Sequence, residues 1–154
     1  MRWLIVGIAG LMLVSGCGSA DQEDTESGES SVRTDSWELS GGFDEEEYLW
    51  EFDLTNTSGD PLDLVFNSGQ EISVLIHKNG ETEPVYNYAE EKLFTQAIKE
   101  ITIGDGNIRK WEEEVDFDLL EPGEYTLSFE LLVSEINGEP PEQPVELEDS
   151  FIIE

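Results

Sequence analysis

Apolar and polar residues alternate along most of the chain between residue 48 and the C terminus. In the segment YLWEFDL the large apolar side chains occupy every second position: Tyr48, Trp50, Phe52 and Leu54. Because successive side chains of a strand point to opposite faces of a sheet, this period predicts half-buried β-strands. Segments rich in glycine, asparagine and proline separate the alternating runs and predict turns, among them NTSGDP, KNGETEP, GDGN and EPGE. The pattern therefore predicts an all-β fold, an immunoglobulin-like antiparallel β-sandwich of about seven to nine strands.

Two local patterns refine this prediction. In LLEPGEYTL, Gly123 precedes Tyr125 at the start of a strand. This spacing resembles the tyrosine corner of immunoglobulin-like sandwiches, in which the phenol bonds to nearby backbone, and it predicts a structural role for Tyr125. Residues 89–100 contain strong helix formers that lead into the alternation of Ile101 and Ile103. This segment is predicted to be irregular or to form one helical turn, with a strand from about Ala97.

The N terminus is predicted to carry an export signal. Arg2 is followed by an apolar run over residues 3–14, which is too short for a spanning helix of roughly 20 residues. The alternative for this run is a buried core helix. The residues VSGC at 14–17 resemble the lipobox of bacterial lipoproteins, and they include the only cysteine of the chain. The resemblance implies cleavage after residue 16, a diacylglyceryl group on Cys17, and an extracytoplasmic protein that is lipid-anchored to the cell membrane.

The charge of the chain limits its partners. It contains 37 acidic and 7 basic residues and has a formal net charge of −30. A charge of this size repels nucleic acid, so no nucleic-acid partner is predicted. The self-repulsion of the folded state weakens as salt is added, which predicts a halophilic source. The alternative is an acidic surface that binds cations or a basic partner.

The residues that follow the lipobox are too polar to form a core. The segment from 19 to 35 has one large aliphatic residue, Val32, and many carboxylates. Such a segment does not bury enough apolar surface to offset its ordering entropy. The chain is therefore predicted to divide into a signal peptide over 1–16, a flexible acidic tether over 17–35 and one folded domain over 36–154. An acidic recognition tail is the alternative for the tether.

The sequence offers little for catalysis or metal binding. His77, the single histidine, is expected to be a solvated residue at the end of a strand, and no free thiol accompanies it. Carboxylates are so abundant that no acid–base pair stands out. The segments FDEEEY (with Asp44) and GDGN (with Asp105 and Asn107) are candidates for calcium, but neither has the spacing of an EF-hand. No enzyme activity, metal or cofactor is predicted.

From about residue 46 to residue 133 the chain resembles the BsuPI domain family, named for the intracellular proteinase inhibitor of bacilli. The resemblance rests on an ordered set of residues whose role is mainly structural: Asn56, Phe66, Ser68, Gly69, Gln70, Phe94, Gln96, Pro122, Gly123 and Tyr125. The chain departs from the family pattern at Tyr86 and Tyr88, where the family usually has tryptophan. The family's namesake acts inside the cell, whereas the resemblance at Cys17 places this protein outside it.

The family resemblance implies an inhibitor that inserts a loop into the cleft of a secreted or envelope serine protease. Three loops are candidates for that contact, residues 78–84, 89–96 and 104–107. The residues of these loops that are candidates for contact with the protease are Lys78, Asn79, Gly80, Leu93, Asp105 and Gly106. Leu93 or Phe94 would fill an apolar pocket, although Phe94 is also a candidate for the core. The alternative function is a non-inhibitory, surface-displayed protein-binding or assembly module, because this fold hosts many functions.

Overall fold

The computed structural model describes residues 29–90 and 92–154. The predicted signal peptide, Cys17 and most of the predicted tether lie outside the described residues. None of the helices among the described residues is long and apolar enough to cross a membrane. Eleven strands, β1 to β11, and one 3-10 turn at Phe117–Leu119 make up the regular structure of this part of the chain. The strands are β1 Glu29–Arg33, β2 Trp37–Asp44, β3 Leu49–Asn56, β4 Leu62–Phe66, β5 Ile72–Lys78, β6 Tyr86–Asn87, β7 Lys99–Ile103, β8 Ile108–Glu114, β9 Gly123–Leu131, β10 Val133–Ile136 and β11 Val145–Ile153.

The strands form three antiparallel sheets. The first sheet has the order β1-β2-β3-β8, the second β11-β9-β5-β6, and the third β10-β4-β7. Strand β10 continues the chain of β9 and pairs with β4 through a register shift between Val133 and Glu135. The predicted all-β sandwich is thus confirmed. The structure has more strands than predicted for two reasons. The register shift separates β10 from β9, and the strands β1 and β6 are too short to show an alternating pattern in the sequence.

All three sheets contribute to one core, which includes the contact between the first and second sheets and the buried residues Leu62, Leu64 and Phe66 of β4. The inward residues of β3 are buried opposite those of β9, and the rings of Phe52 and Phe129 stack with their centroids 4.1 Å apart. A second stacked pair, Phe43 and Phe151, joins β2 to β11 at 4.0 Å. Along β11 every second side chain is buried. The period seen in the sequence therefore marks the face of each strand that enters the core.

The folded region includes part of the predicted tether. Strand β1 pairs with β2 from Glu29 opposite Gly42 to Arg33 opposite Glu38. The prediction of a tether up to residue 35 is therefore wrong for this segment. An edge strand is stabilised by backbone hydrogen bonds to its neighbour and needs few apolar side chains, so its composition resembles that of a linker.

The segment between β6 and β7 is irregular, as the sequence predicts. A turn at residues 88–90 is followed by chain without regular structure, and β7 begins at Lys99, two residues later than predicted. At the tyrosine corner, Tyr125 Oη donates a hydrogen bond of 2.6 Å to the carbonyl of Glu121, the arrangement that its spacing from Gly123 predicts.

Candidate functional site

The residues between β6 and β7 present the most exposed large apolar side chain among the described residues. Leu93 is 101% exposed and Ile98 is 69% exposed, and both lie in the segment that we call the 92–98 loop. A lone exposed apolar residue is common on protein surfaces. In this loop, however, the backbone and the neighbouring side chains are fixed by contacts that leave Leu93 free, and these contacts define the site.

An ion pair holds the first end of the loop. Lys92 Nζ binds Glu113 Oε2 and lies 3.7 Å from the centroid of the Tyr88 ring. The other oxygen of Glu113 accepts a hydrogen bond of 2.9 Å from Tyr86 Oη, which itself accepts one of 3.1 Å from Trp50 Nε1. Burial and the negative charge of Glu113 raise the pKa of Tyr86, so this phenol stays protonated and donates. The Glu113 carboxylate is thus oriented by Lys92 of the loop and by Tyr86 of β6, whose hydroxyl is in turn held by Trp50 of β3.

A second ion pair holds the other end. Lys99 binds Oε1 of Glu71, a carboxylate that is 7% exposed. Arg109 Nη2 lies 2.9 Å from each oxygen of Glu71, and Trp111 Nε1 donates to Oε2 at 2.9 Å. Burial acts to raise the pKa of Glu71, but the hydrogen bonds from Lys99, Trp111 and Arg109 outweigh it and hold that pKa below its ordinary value. A buried carboxylate is tolerated when its charge is paired and its oxygens are hydrogen-bonded in this way.

The middle of the loop is fixed by a close approach to the backbone. The N–H of Gly69 donates a hydrogen bond of 2.8 Å to the carbonyl of Thr95. A Cβ atom added at residue 69 would lie 2.6 Å from Thr95 Oγ1 and 3.2 Å from Thr95 N, so only glycine fits without displacing the loop. The half-buried ring of Phe94 packs on Tyr88 with a centroid separation of 6.2 Å. Of the two apolar candidates in this loop, Phe94 therefore serves as an anchor and Leu93 is presented to solvent.

The side chains of the 78–84 loop bind neighbouring elements and do not form an apolar surface. Lys78 forms an ion pair of 3.3 Å with Glu121, and its ammonium lies 5.9 Å from the Tyr125 ring centroid. Asn79 Oδ1 accepts a hydrogen bond of 3.1 Å from Thr126 Oγ1. Gly80 turns the chain with a φ of 90°. These contacts tie the loop to β9 and to the tyrosine corner.

The 104–107 loop is bound to a buried asparagine. Gly106 N–H donates to the carbonyl of Asn56 at 3.0 Å, and Asp105 Oδ1 accepts the N–H of Gly59 at 3.0 Å. Asn56 is fully buried, and its Nδ2 donates to the carbonyls of Asp60 and Ile103 at 2.7 and 2.8 Å. This asparagine therefore fixes the turn between β3 and β4 beside the turn between β7 and β8.

The residues of the family pattern fall into three separate groups. Asn56 joins the 104–107 loop, Gly69 contacts the 92–98 loop between Phe94 and Gln96, and Gly123 and Tyr125 form the corner near Lys78. The remaining members support these groups: Phe66 is buried, Ser68 Oγ accepts the N–H of Gln70, Gln70 Nε2 donates to the carbonyl of Ile72, and Pro122 leads into the corner. Sequence reasoning missed Glu71 and Glu113. Their only signal was the position of two rare lysines, Lys92 and Lys99, on either side of Leu93.

The candidate catalytic and metal-binding residues remain dispersed. His77 lies on β5 and is partly exposed. Asp44 Oδ1 accepts the N–H groups of Glu46 and Glu47, at 2.8 and 3.0 Å, and so closes its own turn. Over residues 29–90 and 92–154, no three histidine, cysteine or acidic side chains are grouped so that they could hold a metal ion.

The fold and the site define a class of protein: a β-sandwich scaffold that holds a loop with an exposed apolar side chain at its surface. A family model described as "Intracellular proteinase inhibitor" (BsuPI) matches residues 38–136, close to two thirds of the chain. The chain belongs to this family. The matched region contains the 92–98 loop and both of its anchoring carboxylates, Glu71 and Glu113. No curated protein matches the chain.

Proposed function

We propose that this protein is a lipid-anchored extracytoplasmic inhibitor that inserts the 92–98 loop into the cleft of a serine protease. The family supports proteinase inhibition in general. The single observation that carries the choice of loop is the full exposure of Leu93 between contacts that hold its neighbours. A loop that is ordered before binding loses little conformational entropy when it enters a cleft.

The chemistry of Leu93 selects the kind of protease. The primary specificity pocket of a serine protease is either apolar or lined by a charge that matches the substrate. A leucine side chain fills an apolar pocket and offers nothing to a pocket that contains an aspartate. The partner that fits this loop is therefore a subtilisin-like or chymotrypsin-like protease with an apolar pocket.

The proposed location follows from Cys17. The lipobox resemblance at residues 14–17 supports acylation of this thiol, and two acyl chains hold a protein stably at a membrane. A protease that meets this inhibitor would be secreted or bound to the envelope. The acidic excess, formal charge −30, suits a saline environment in which self-repulsion is screened.

Inhibition of subtilisin by the mature chain carrying Cys17→Ser tests the proposal. This variant lacks the thiol for acylation and is expected in the soluble fraction, whereas the wild type is expected with membranes.

Leu93→Ala should raise Ki about thirtyfold, because a buried leucine contributes roughly 2 kcal/mol. Ile152→Ala is the matched control, since Ile152 is exposed on β11 and should leave Ki unchanged. A mature chain that inhibits neither subtilisin nor chymotrypsin at any salt concentration would refute the proposal.

The alternative is a non-inhibitory binding module, and one observation favours it. A groove of about 560 Å³ lies between the β1–β2 hairpin and the segment that precedes β11. Its lining combines Val32 and Trp37 with three prolines, and Asp35 and Glu142 add negative charge. This lining fits a basic segment with an apolar side chain from another envelope protein. Binding of such a protein that survives Leu93→Ala, without protease inhibition, would favour this alternative.

A further inference from the structure

We infer that the ion pairs Lys92–Glu113 and Lys99–Glu71 hold the 92–98 loop in its binding conformation, so that Glu71 and Glu113 are positioning residues for inhibition. This inference rests on the proposed function. Neither carboxylate belongs to the loop, since Glu113 lies on β8 and Glu71 immediately precedes β5. The two pairs therefore fix both ends of the loop to the rigid sheets.

The distribution of basic residues supports this role. The described residues contain six lysines and arginines, and each of them forms an ion pair. Two of the six stand at the two ends of one loop, and a third, Arg109, binds the carboxylate that receives Lys99. In a chain this acidic, half of the basic side chains in the described part converge on these two anchors.

The carboxylates of the two anchoring ion pairs differ in their exposure to solvent. The Glu71 side chain is 8% exposed and that of Glu113 is 38% exposed, whereas their lysine partners, Lys99 and Lys92, are 42% and 30% exposed. Added salt screens an exposed pair more strongly than a buried one. The Lys92–Glu113 pair is therefore expected to weaken more as salt is added, because its carboxylate is the more exposed of the two.

Between the two anchoring ion pairs, a backbone hydrogen bond and a ring contact fix the position of the loop. The hydrogen bond from Gly69 to Thr95 and the packing of Phe94 on Tyr88 locate the residues that follow Leu93. If the Lys92–Glu113 pair were broken, the backbone at Leu93 would be fixed only by the contacts of the residues that follow it. The loop would then lose conformational entropy on entering a cleft, as a flexible substrate does.

The test compares Glu113→Gln and Lys92→Gln with Lys110→Gln in the mature chain. Lys110 pairs with Glu51 and Glu112 on the outer face of β8, so its loss removes two ion pairs without touching the loop. We expect amide hydrogen exchange over residues 93–98 and the Ki for subtilisin to rise about tenfold in the first two variants. Lys110→Gln should change neither. Lys92→Arg should restore both quantities, and the double variant Lys92→Gln/Glu113→Gln should be no worse than either single variant, because the pair acts as a unit.

Lys99→Gln tests the second anchor, since Glu71→Gln risks misfolding by leaving Arg109 and Trp111 with a weaker partner. It should likewise speed exchange over residues 93–98 and raise Ki. Unchanged exchange in these variants overturns the inference whether or not the protein inhibits. Faster exchange with unchanged Ki also overturns it, because the loop conformation would then not matter for inhibition. If the wild type does not inhibit, the proposed function fails, and the positioning role fails with it even if exchange responds as expected.

Discussion

Two buried carboxylates of this protein differ in pKa because their hydrogen-bond donors differ. Glu71 receives donors from Lys99, Arg109 and Trp111, and its pKa lies below the ordinary value. Asp149 lies on β11, is 6% exposed, and accepts the N–H of Phe43 at 3.0 Å. Burial raises the pKa of Asp149, and backbone hydrogen bonds offset this only in part. The ionised form of Glu71 therefore stabilises the fold, whereas the ionised form of Asp149 weakens it.

This difference gives a pH prediction for Asp149→Asn. A raised folded-state pKa means that the folded protein binds more protons, so the contribution of Asp149 to stability is largest below 3.8, its ordinary pKa, and declines as pH rises through the folded value. The asparagine still accepts the N–H of Phe43 but carries no charge. Asp149→Asn should therefore stabilise the protein above the folded pKa, and the gain should vanish in acid.

Urea unfolding at a series of pH values measures this effect. Asp149→Ala is the control, because it removes the charge and also leaves the N–H of Phe43 without its acceptor. That variant should be destabilised by about 1–3 kcal/mol. A loss of stability in Asp149→Asn that grows with pH would show that the ionised carboxylate stabilises the fold, contrary to this argument.

At the scale of elements, the sequence located strands better than it located the chain between them. The runs around Trp50, Ile76 and Leu127 were predictable because each places one apolar face in the core. Strand β1 was missed because backbone pairing with β2 holds it, and backbone pairing leaves little trace in side-chain composition. The 92–98 loop was recognised as irregular, but its order comes from Glu71, Glu113 and Gly69, which belong to other elements.

The contact between Gly69 and the loop gives a second prediction. Gly69→Ala should destabilise the protein by about 1–3 kcal/mol, the range for an added methyl group in a packed contact. It should also speed amide exchange at residues 94–98, because the new methyl group displaces Thr95. Thr95→Ala removes the nearest atom, Oγ1, and should recover part of the loss when combined with Gly69→Ala. If Gly69→Ala left the melting temperature and the amide exchange unchanged, the loop would be able to move away from residue 69 without a measurable cost in stability.

At the scale of the whole molecule, charge dominates. A formal net charge of −30 remains after all 7 basic side chains have been counted against the 37 acidic ones, and the exposed ion pairs each contribute little to stability. Screening of the general repulsion should therefore outweigh screening of the pairs. The melting temperature is expected to rise as KCl is increased from millimolar to molar concentration.

Sucrose at equal osmolality separates charge screening from general exclusion of solutes from the surface, because it adds no ions. KCl should raise the melting temperature well beyond the effect of sucrose. Equal effects of the two solutes, or a melting temperature that falls with KCl, would contradict a fold limited by its own acidity.

The sequence by itself determined the strands and their buried faces, because side chains at every second position of a strand share one environment and the pattern records it. It also determined the corner at Tyr125, where donor and acceptor lie close along the chain. Only the tertiary structure decided which of many acidic residues matter. Glu71 meets Lys99 and Arg109 from 28 and 38 positions away, and Glu113 meets Lys92 from 21. Ion pairs over such separations depend on sheet register and burial, and an acidic residue has the same appearance in the sequence whether it is solvated or anchors a loop.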